Sequence, residues 1–219
     1  MGKVTQAERS ERTRAAILEA AEQEFADRGF SGARIDSIAN AVGIRRASVF
    51  YYYPDKPALY AAVLEDRILP HLEHVEKLLG LGEHGDVGAA PDLILQGVSL
   101  QAEFIAHHPR VAKIFLREIT DHDPKQPSHL AKLIQPLSVR IESFLAARQV
   151  EGACDPIDPR HVIMAVVGAS LVHVAARPLL NPGEPSASFS QSELDSHKSE
   201  LAHLVARLLG FGDSGGETG

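Results

Sequence analysis

The sequence predicts an all-α fold, and three observations carry that expectation. Alternating apolar and polar runs that would mark half-buried strands are missing, while apolar residues recur at helical spacing throughout. Capping boxes, a hydroxyl residue followed three positions later by glutamate, open two of these stretches: Thr5 with Glu8, and Ser190 with Glu193. Glycines and prolines fall where the periodic stretches begin or end.

About nine helices follow in order. Thr5 opens the first, Ile17, Ala21 and Phe25 fall on one face, and Gly29 stops it. Short helices fit residues 35 to 42 and 46 to 52, with Gly43 breaking the chain between them. Asp55 caps a fourth, whose stripe is Leu64, Ile68, Leu72, Val75 and Leu79; Pro70 inside that stripe predicts a kink. Residues 80 to 91 read as a glycine-rich loop, after which helices fit 92 to 107, 109 to 120 and 128 to 149. Asp158 and Pro159 form a cap and first-position pair for a helix to about Arg177. After a second loop at 178 to 191, the helix opened by Ser190 runs to Gly210. The expected organisation is a small domain at 1–56, a larger one at 57–210 and a disordered tail at 211–219.

Bulk properties exclude several classes. A hydrophobic content of 44% and a charged content of 23% suit a soluble globular chain. The longest apolar stretch, 161 to 176, is interrupted by His161 and His173, so no membrane span is expected. The N-terminus "MGKVTQAERSERTR" leads into no short apolar core with a cleavage site, which predicts a cytoplasmic protein. One cysteine, Cys154, supplies neither a disulfide framework nor a CxxC pair. The net charge of −7 is unevenly spread: residues 1 to 60 hold nine Lys/Arg against eight Asp/Glu, and the acidic excess lies in the remainder. A phosphate-binding surface is therefore expected near the N-terminus.

The stretch "AVGIRRASVFYYYPDK" (41 to 56) puts two arginines, four aromatic rings and a lysine together in a chain with only 5% aromatic residues. Ala39 and Gly43, a small residue and a glycine four apart, allow two helices to cross closely through a tight turn. Ile38, Val42, Ile44, Val49 and Tyr52 fill the angle between them. This is the helix-turn-helix pattern, whose second helix enters the DNA major groove. Arg45 and Arg46 then stand at the start of the recognition helix, and the Tyr51 hydroxyl one turn on is placed to meet a phosphate. Tyr53 is expected in the core, Tyr52 either in the core or with a wet hydroxyl, and Lys56 at a helix N-terminus that also favours a phosphate.

From about Thr13 to Leu64 the chain resembles the DNA-binding domain of the TetR family of transcriptional regulators. The resemblance is carried by "FADRGFSGARIDSIANAVGIRRASVFYYYPDKPALY", including Phe25, Gly29, Ile38, Ala39, Gly43, the aromatic run, Lys56 and Leu59. It implies an all-helical homodimer with a three-helix DNA-binding domain and a C-terminal domain that binds a small organic effector and dimerises. Most members are repressors released from their operator by that effector. The chain departs from the family at Arg34, where a capping threonine is usual, and at Arg45, Ala47 and Phe50, where a small polar residue, a glycine and a tyrosine are common. Tyr52 and Tyr53 replace the usual histidine and phenylalanine. The expected DNA contacts are Arg34, Arg45, Arg46, Ala47, Phe50, Tyr51, Tyr52 and Lys56.

Candidate effector-pocket residues are Phe104, His107, Phe115, Leu133, Phe144 and Met164. The helix at 159 to 177 is apolar on nearly all sides and must be covered all round, and the last helix repeats Leu194, His197, Leu201, Leu204 and Leu208 at heptad spacing. Together these predict dimerisation through Val162, Val166, Ala169, His173, Leu194, Leu201, Leu204 and Leu208. No cofactor, metal or enzymatic activity is expected. All eleven histidines lie after residue 70, but none forms an HExxH pair. "GLGEHG" and "GFGDSG" match GxGxxG without the strand and helix that motif needs. Two other readings remain open at this stage. One is a helical-bundle metal-dependent enzyme with an incidental helix-turn-helix; the other is a DNA-binding protein without an effector.

Overall fold

The structure is a computed structural model of the chain and describes residues 5–80, 90–121, 128–180 and 189–211. Among the described residues there are nine α-helices and no strand: α1 (Gln6–Gly32), α2 (Ile35–Val42), α3 (Arg46–Tyr52), α4 (Lys56–Leu78), α5 (Ala90–His107), α6 (Pro109–Asp121), α7 (His129–Val150), α8 (Pro159–Leu180) and α9 (Gln191–Leu208).

The predicted caps form. Thr5 Oγ1 accepts the Glu8 N–H at 3.2 Å while the Glu8 carboxylate accepts the Thr5 N–H at 2.6 Å. Ser190 and Glu193 repeat the arrangement at the head of α9. Asp55 Oδ1 accepts the Ala58 N–H at 2.8 Å, and Asp158 Oδ1 accepts the Arg160 N–H at 2.9 Å. Gly29 interrupts α1 at φ +68°, a backbone region that favours glycine, and one more turn follows to Gly32. Carbonyls just before such a break run out of helical N–H partners. Arg117 of α6 supplies them, its Nε donating to the Ala26 carbonyl at 3.0 Å and its Nη2 to that of Asp27 at 2.6 Å.

The chain forms two compact units, one from the described residues within Met1–Leu69 and Lys113–Leu133, the other from those within Pro70–Ala112 and Ile134–Gly219. These units differ from the division expected after residue 56. The first keeps the head of α4 because Leu59, Tyr60, Val63 and Leu64 are buried there. The Tyr60 ring meets Phe25 edge-on at 4.9 Å, and Arg67 binds the buried Glu22 carboxylate of α1 at 3.0 Å. α4 passes from one unit to the other between Leu69 and Pro70 without a break in the helix.

In the second unit Ile94, Val98 and Ala102 of α5, Leu145 of α7, Val162 and Val166 of α8, and Leu201, Val205 and Leu209 at the C-terminal end share one core. Four dimerisation expectations are corrected by this packing. Val162, Val166, Leu194 and Leu201 are buried within the subunit. A helix apolar all round, and a heptad that mixes two faces, do not reveal which face turns inward. α8 also runs three residues past Arg177 with Pro178 in its last turn. Its most apolar 18-residue window has a mean hydropathy of 1.8, which by length and composition alone would suffice to cross a membrane, but a third of that window is buried inside the protein. Part of that apolar content is accounted for by the buried face of α8 just described.

The loop expected at 80–91 lies outside the described residues except for Gly80 and Ala90–Pro91, where α5 has already begun; the middle of the loop at 178–191 and residues 212–219 also lie outside them. Phe211, expected in a disordered tail, packs against the core, and its N–H donates to the Ala206 carbonyl at 2.8 Å. Cys154 is buried, and burial raises its thiol pKa, so it stays protonated. Gly210 ends α9 at φ +73°, and a Cβ there would lie 2.5 Å from the Asp155 carboxylate. Gly210→Ala should therefore destabilise the fold by about 1–3 kcal/mol in urea unfolding, part of it relieved if the Asp155 side chain swings away. A loss below about 0.5 kcal/mol would mean that neither the backbone region nor the close approach matters.

Candidate DNA interface and internal cavity

α2 and α3 meet through a turn that requires its glycine. Gly43 adopts φ +74°, ψ +30°, and the Ile44 N–H reaches back to the Ala39 carbonyl at 3.0 Å, closing the end of α2. Apart from its chain neighbours nothing lies within 4 Å of a Cβ built on Gly43, so conformation rather than space selects glycine. Ile35, Ile38 and Ala39 of α2 and Val49 of α3 are buried, Val49 completely at 0% exposure. That apolar seam leaves the opposite side of α3 to solvent.

The expected DNA contacts divide into an exposed group and a committed group. Arg34, Arg45, Arg46, Ala47 and Tyr51 are exposed, Tyr51 to 83%. Arg34 is the N-cap of α2 and makes no side-chain cap; its own N–H is taken by Glu24 Oε1 at 3.0 Å. Arg45 is the N-cap of α3. Arg46 donates to Asp36 Oδ2 at 2.8 Å with its guanidinium 5.4 Å from the half-buried Phe50 ring. Phe50 thus backs an arginine. The committed residues are Tyr52 and Lys56. The Tyr52 hydroxyl accepts from Ser10 Oγ of α1 at 3.3 Å. The Lys56 ammonium, expected at a phosphate, is held on the carbonyls of Ser31 and Ala33 at 3.3 Å each, above the Phe30 ring. Asp55 already satisfies the Ala58 N–H at the start of α4, so that helix end is less available to an anion than expected. Tyr53 is buried, in the core position its spacing predicts.

The second unit holds a half-open cavity of about 100 Å³ between α4, α5, α7 and α8. Among the described residues lining it, Gln101 of α5 is polar, the others are aliphatic or aromatic apart from Gly97, and none is ionisable. Of the six residues expected to line an effector pocket, Phe144 lines this cavity. The others do not line it: Phe104 is buried in a stack with His71, His107 is exposed, Met164 is 69% exposed on the outer side of α8, and Phe115 and Leu133 belong to the first unit. Aromatic type at helical spacing identifies buried faces but not the void among them. Gln101 was missed, although one amide among the apolar Ile94, Val98 and Ile105 of α5 is a legible signal. Among the described residues no group of three or more His, Cys, Asp or Glu side chains is arranged to hold a metal ion.

Where α8 meets α9, His173 stacks on His197 with ring centroids 3.8 Å apart, and on Phe189 at 5.3 Å. Burial and the neighbouring His173 push the His197 pKa down from the ordinary 6.5 to about 4, and its Nε2 has no hydrogen-bond partner among the described residues. A depressed imidazole pKa means that between about pH 6.5 and 4 the unfolded chain binds the proton that the folded chain refuses. Stability contributed by neutral His197 is present above pH 6.5 and is lost as pH falls through that window. His197→Phe, which keeps a ring in the stack, should lose less thermal stability than the parent protein between pH 7.5 and 4.5. Equal losses for both proteins would show that His197 does not titrate as described.

An exposed arginine pair heading a short helix, held by a glycine turn to a second short helix, defines a helix-turn-helix DNA-binding protein with a further helical unit that holds a cavity. Residues 17–63 match the family described as bacterial regulatory proteins, tetR family. The HTH-type transcriptional regulator RutR of Escherichia coli (strain K12) is 31% identical over 160 residues, which cover 73% of this chain and 72% of that protein. The HTH-type transcriptional repressor SCO4008 of Streptomyces coelicolor is 32% identical over 122 residues, 56% of this chain and 57% of the repressor. In fold the chain is similar to the transcriptional regulator FadR from Bacillus subtilis, crystallised with stearoyl-CoA: the TM-score is 0.65 at 13% identity, over 90% of this chain and 99% of FadR. The chain belongs to the TetR family of transcriptional regulators and is a DNA-binding regulator of all-α fold.

Proposed function

We propose that this regulator is a homodimeric repressor that leaves its operator when a small organic effector fills the cavity of the second unit. One observation carries the reading: α4, which lines the cavity with Val75 and leads into Leu79 on the same wall, is the same unbroken helix whose head is buried in the DNA-binding unit. A ligand favouring one disposition of α4 would change operator affinity by its differential affinity for the two states. In this reading residues 1–56 contact DNA, 57–210 bind effector and dimerise, and the protein works in the cytoplasm beside its operator. Pro70, where the chain changes unit, helps transmit the change.

The dimer is supported by an uncovered apolar surface. Met164, Ala165, Ala169 and Val172 of α8 and Leu204 and Leu208 of α9 are exposed, and a second copy of the same helices would cover them about a two-fold axis. Sedimentation with salt-dependent binding to DNA from the protein's own upstream region tests the reading. The expected result is a dimer with sequence-specific binding that weakens steeply with salt, and a monomeric Leu204→Glu variant that binds weakly. A monomeric parent protein binding its operator tightly would refute the dimer. Operator affinity and effector response both unchanged in Pro70→Ala would remove Pro70 from the mechanism.

A further inference from the structure

Gln101, the one polar side chain among the described residues lining the cavity, is held from behind. His71 of α4 is 8% exposed, with its ring stacked on Phe104 at 4.0 Å and 5°. Its Nε2 lies 2.7 Å from Gln101 Oε1. An amide oxygen only accepts, so His71 Nε2 carries the proton and donates it. Burial, together with the nearby His74 and His108, holds the His71 pKa below its ordinary value, so the ring is neutral near pH 7. Gln101 Oε1 is thus engaged by His71, and its N–H2 group, which has no partner among the described residues, is the free donor of a side chain that lines the cavity.

We infer that the cavity takes a small, uncharged, mostly apolar ligand bearing one hydrogen-bond acceptor, which the Gln101 N–H2 group meets. The inference rests on the proposed reading of this cavity as the effector site. The remaining walls, such as Val98, Phe144 and Val166, offer only dispersion contacts, and a carboxylate or phosphate would enter without a counter-charge. Size sets the second limit. A pocket of about 100 Å³ is smaller than the ~150 Å³ cavity known to hold benzene, so it surrounds fewer than about six heavy atoms of the ligand, the rest reaching out through its open side.

The test uses the full-length protein and three probes of matched ring: cyclopentanone, its hydrocarbon isostere methylenecyclopentane, and cyclopentanecarboxylate. Titration calorimetry should show saturable binding of the ketone about 3- to 10-fold tighter than the isostere. The carboxylate should bind at least about tenfold more weakly than the ketone. In ¹⁵N-resolved spectra the ketone should shift the Gln101 side-chain N–H2 resonances. Gln101→Leu should reduce ketone affinity to that of the hydrocarbon. Gly97 lines the cavity at an ordinary helical position with its nearest neighbour, Leu79 Cδ2, 3.6 Å from a Cβ, so Gly97→Leu should fill the space and abolish binding of both. The absence of saturable ketone binding, carboxylate binding as tight as the ketone's, or an unchanged ketone affinity in Gln101→Leu would each overturn the inference. Operator affinity measured with each probe separates the two readings. Ketone binding through Gln101 that leaves operator affinity unchanged upholds the ligand class and rejects the effector role. Release of the operator by the carboxylate alone supports an effector role and rejects the ligand class.

Discussion

Replacing Arg45 and Arg46 together with alanine is expected to weaken specific operator binding by about 30- to 20,000-fold, on the basis of roughly 1–3 kcal/mol for each arginine that reads a base. Both side chains are exposed at the head of α3, so their loss removes little packing. The Arg46–Asp36 ion pair at 2.8 Å joins two exposed side chains, and a pair of that kind contributes less than about 1 kcal/mol. Thermal unfolding should consequently be nearly unchanged while DNA binding collapses. Single variants divide the roles. An arginine reading a base should, when removed, relax preference at one operator position; one touching only phosphate should weaken all sequences alike and lower the salt slope by about one. Operator affinity within threefold of the parent protein in the double variant would place the DNA surface elsewhere.

Phe25→Ala should lower the stability of the DNA-binding unit by about 3–5 kcal/mol, because a fully packed ring is lost and a cavity remains. Phe25 is 1% exposed, lies edge-on to Tyr60 at 4.9 Å and packs beside Phe30 at 6.3 Å. Tyr60 also donates its hydroxyl to Glu118 at 2.8 Å, so the ring cluster ties α1 and α4 to α6. Phe25→Leu fills more of the space and should cost roughly 1–2 kcal/mol. Denaturant unfolding followed by the tyrosines of the first unit distinguishes these outcomes, and an alanine variant losing less than about 1 kcal/mol would show that the cluster is not the keystone of that unit. Operator binding by Phe25→Ala should fail at temperatures where the parent still binds, since α2 and α3 are placed through the α1 core.

Much of this arrangement was legible before the structure. The capping boxes at Thr5 and Ser190, the Asp55 and Asp158 caps and the glycines at 29, 43 and 210 act through bonds within a few residues, so they mark helix ends in the sequence itself. The helix-turn-helix was equally readable, because its small residues, its turn and its exposed arginines lie within twenty consecutive positions. Arg117 capping α1 from α6 could not be read in this way: its partners are ninety residues distant, and nothing near it announces them.

The same distinction governs the candidate sites. Arg45, Arg46 and Tyr51, read as DNA contacts, are exposed because one buried neighbour, Val49, determines which side of α3 faces out. Lys56 and Tyr52 were read as groups for DNA, yet their polar atoms are taken by Ser31, Ala33 and Ser10 of the preceding helix and its exit. α8 is the sharpest case. Its composition shows that it must be covered on every side, but Val162 and Val166 turn toward α5 and the cavity while Met164 and Ala169 turn away. Periodicity along one chain therefore established the helices, their ends and the DNA-binding motif, since those follow from local bonding and spacing. Which apolar face is core, cavity wall or partner surface, and which way Gln101 presents its amide, follow from contacts between helices far apart in sequence, and only folding brings those contacts together.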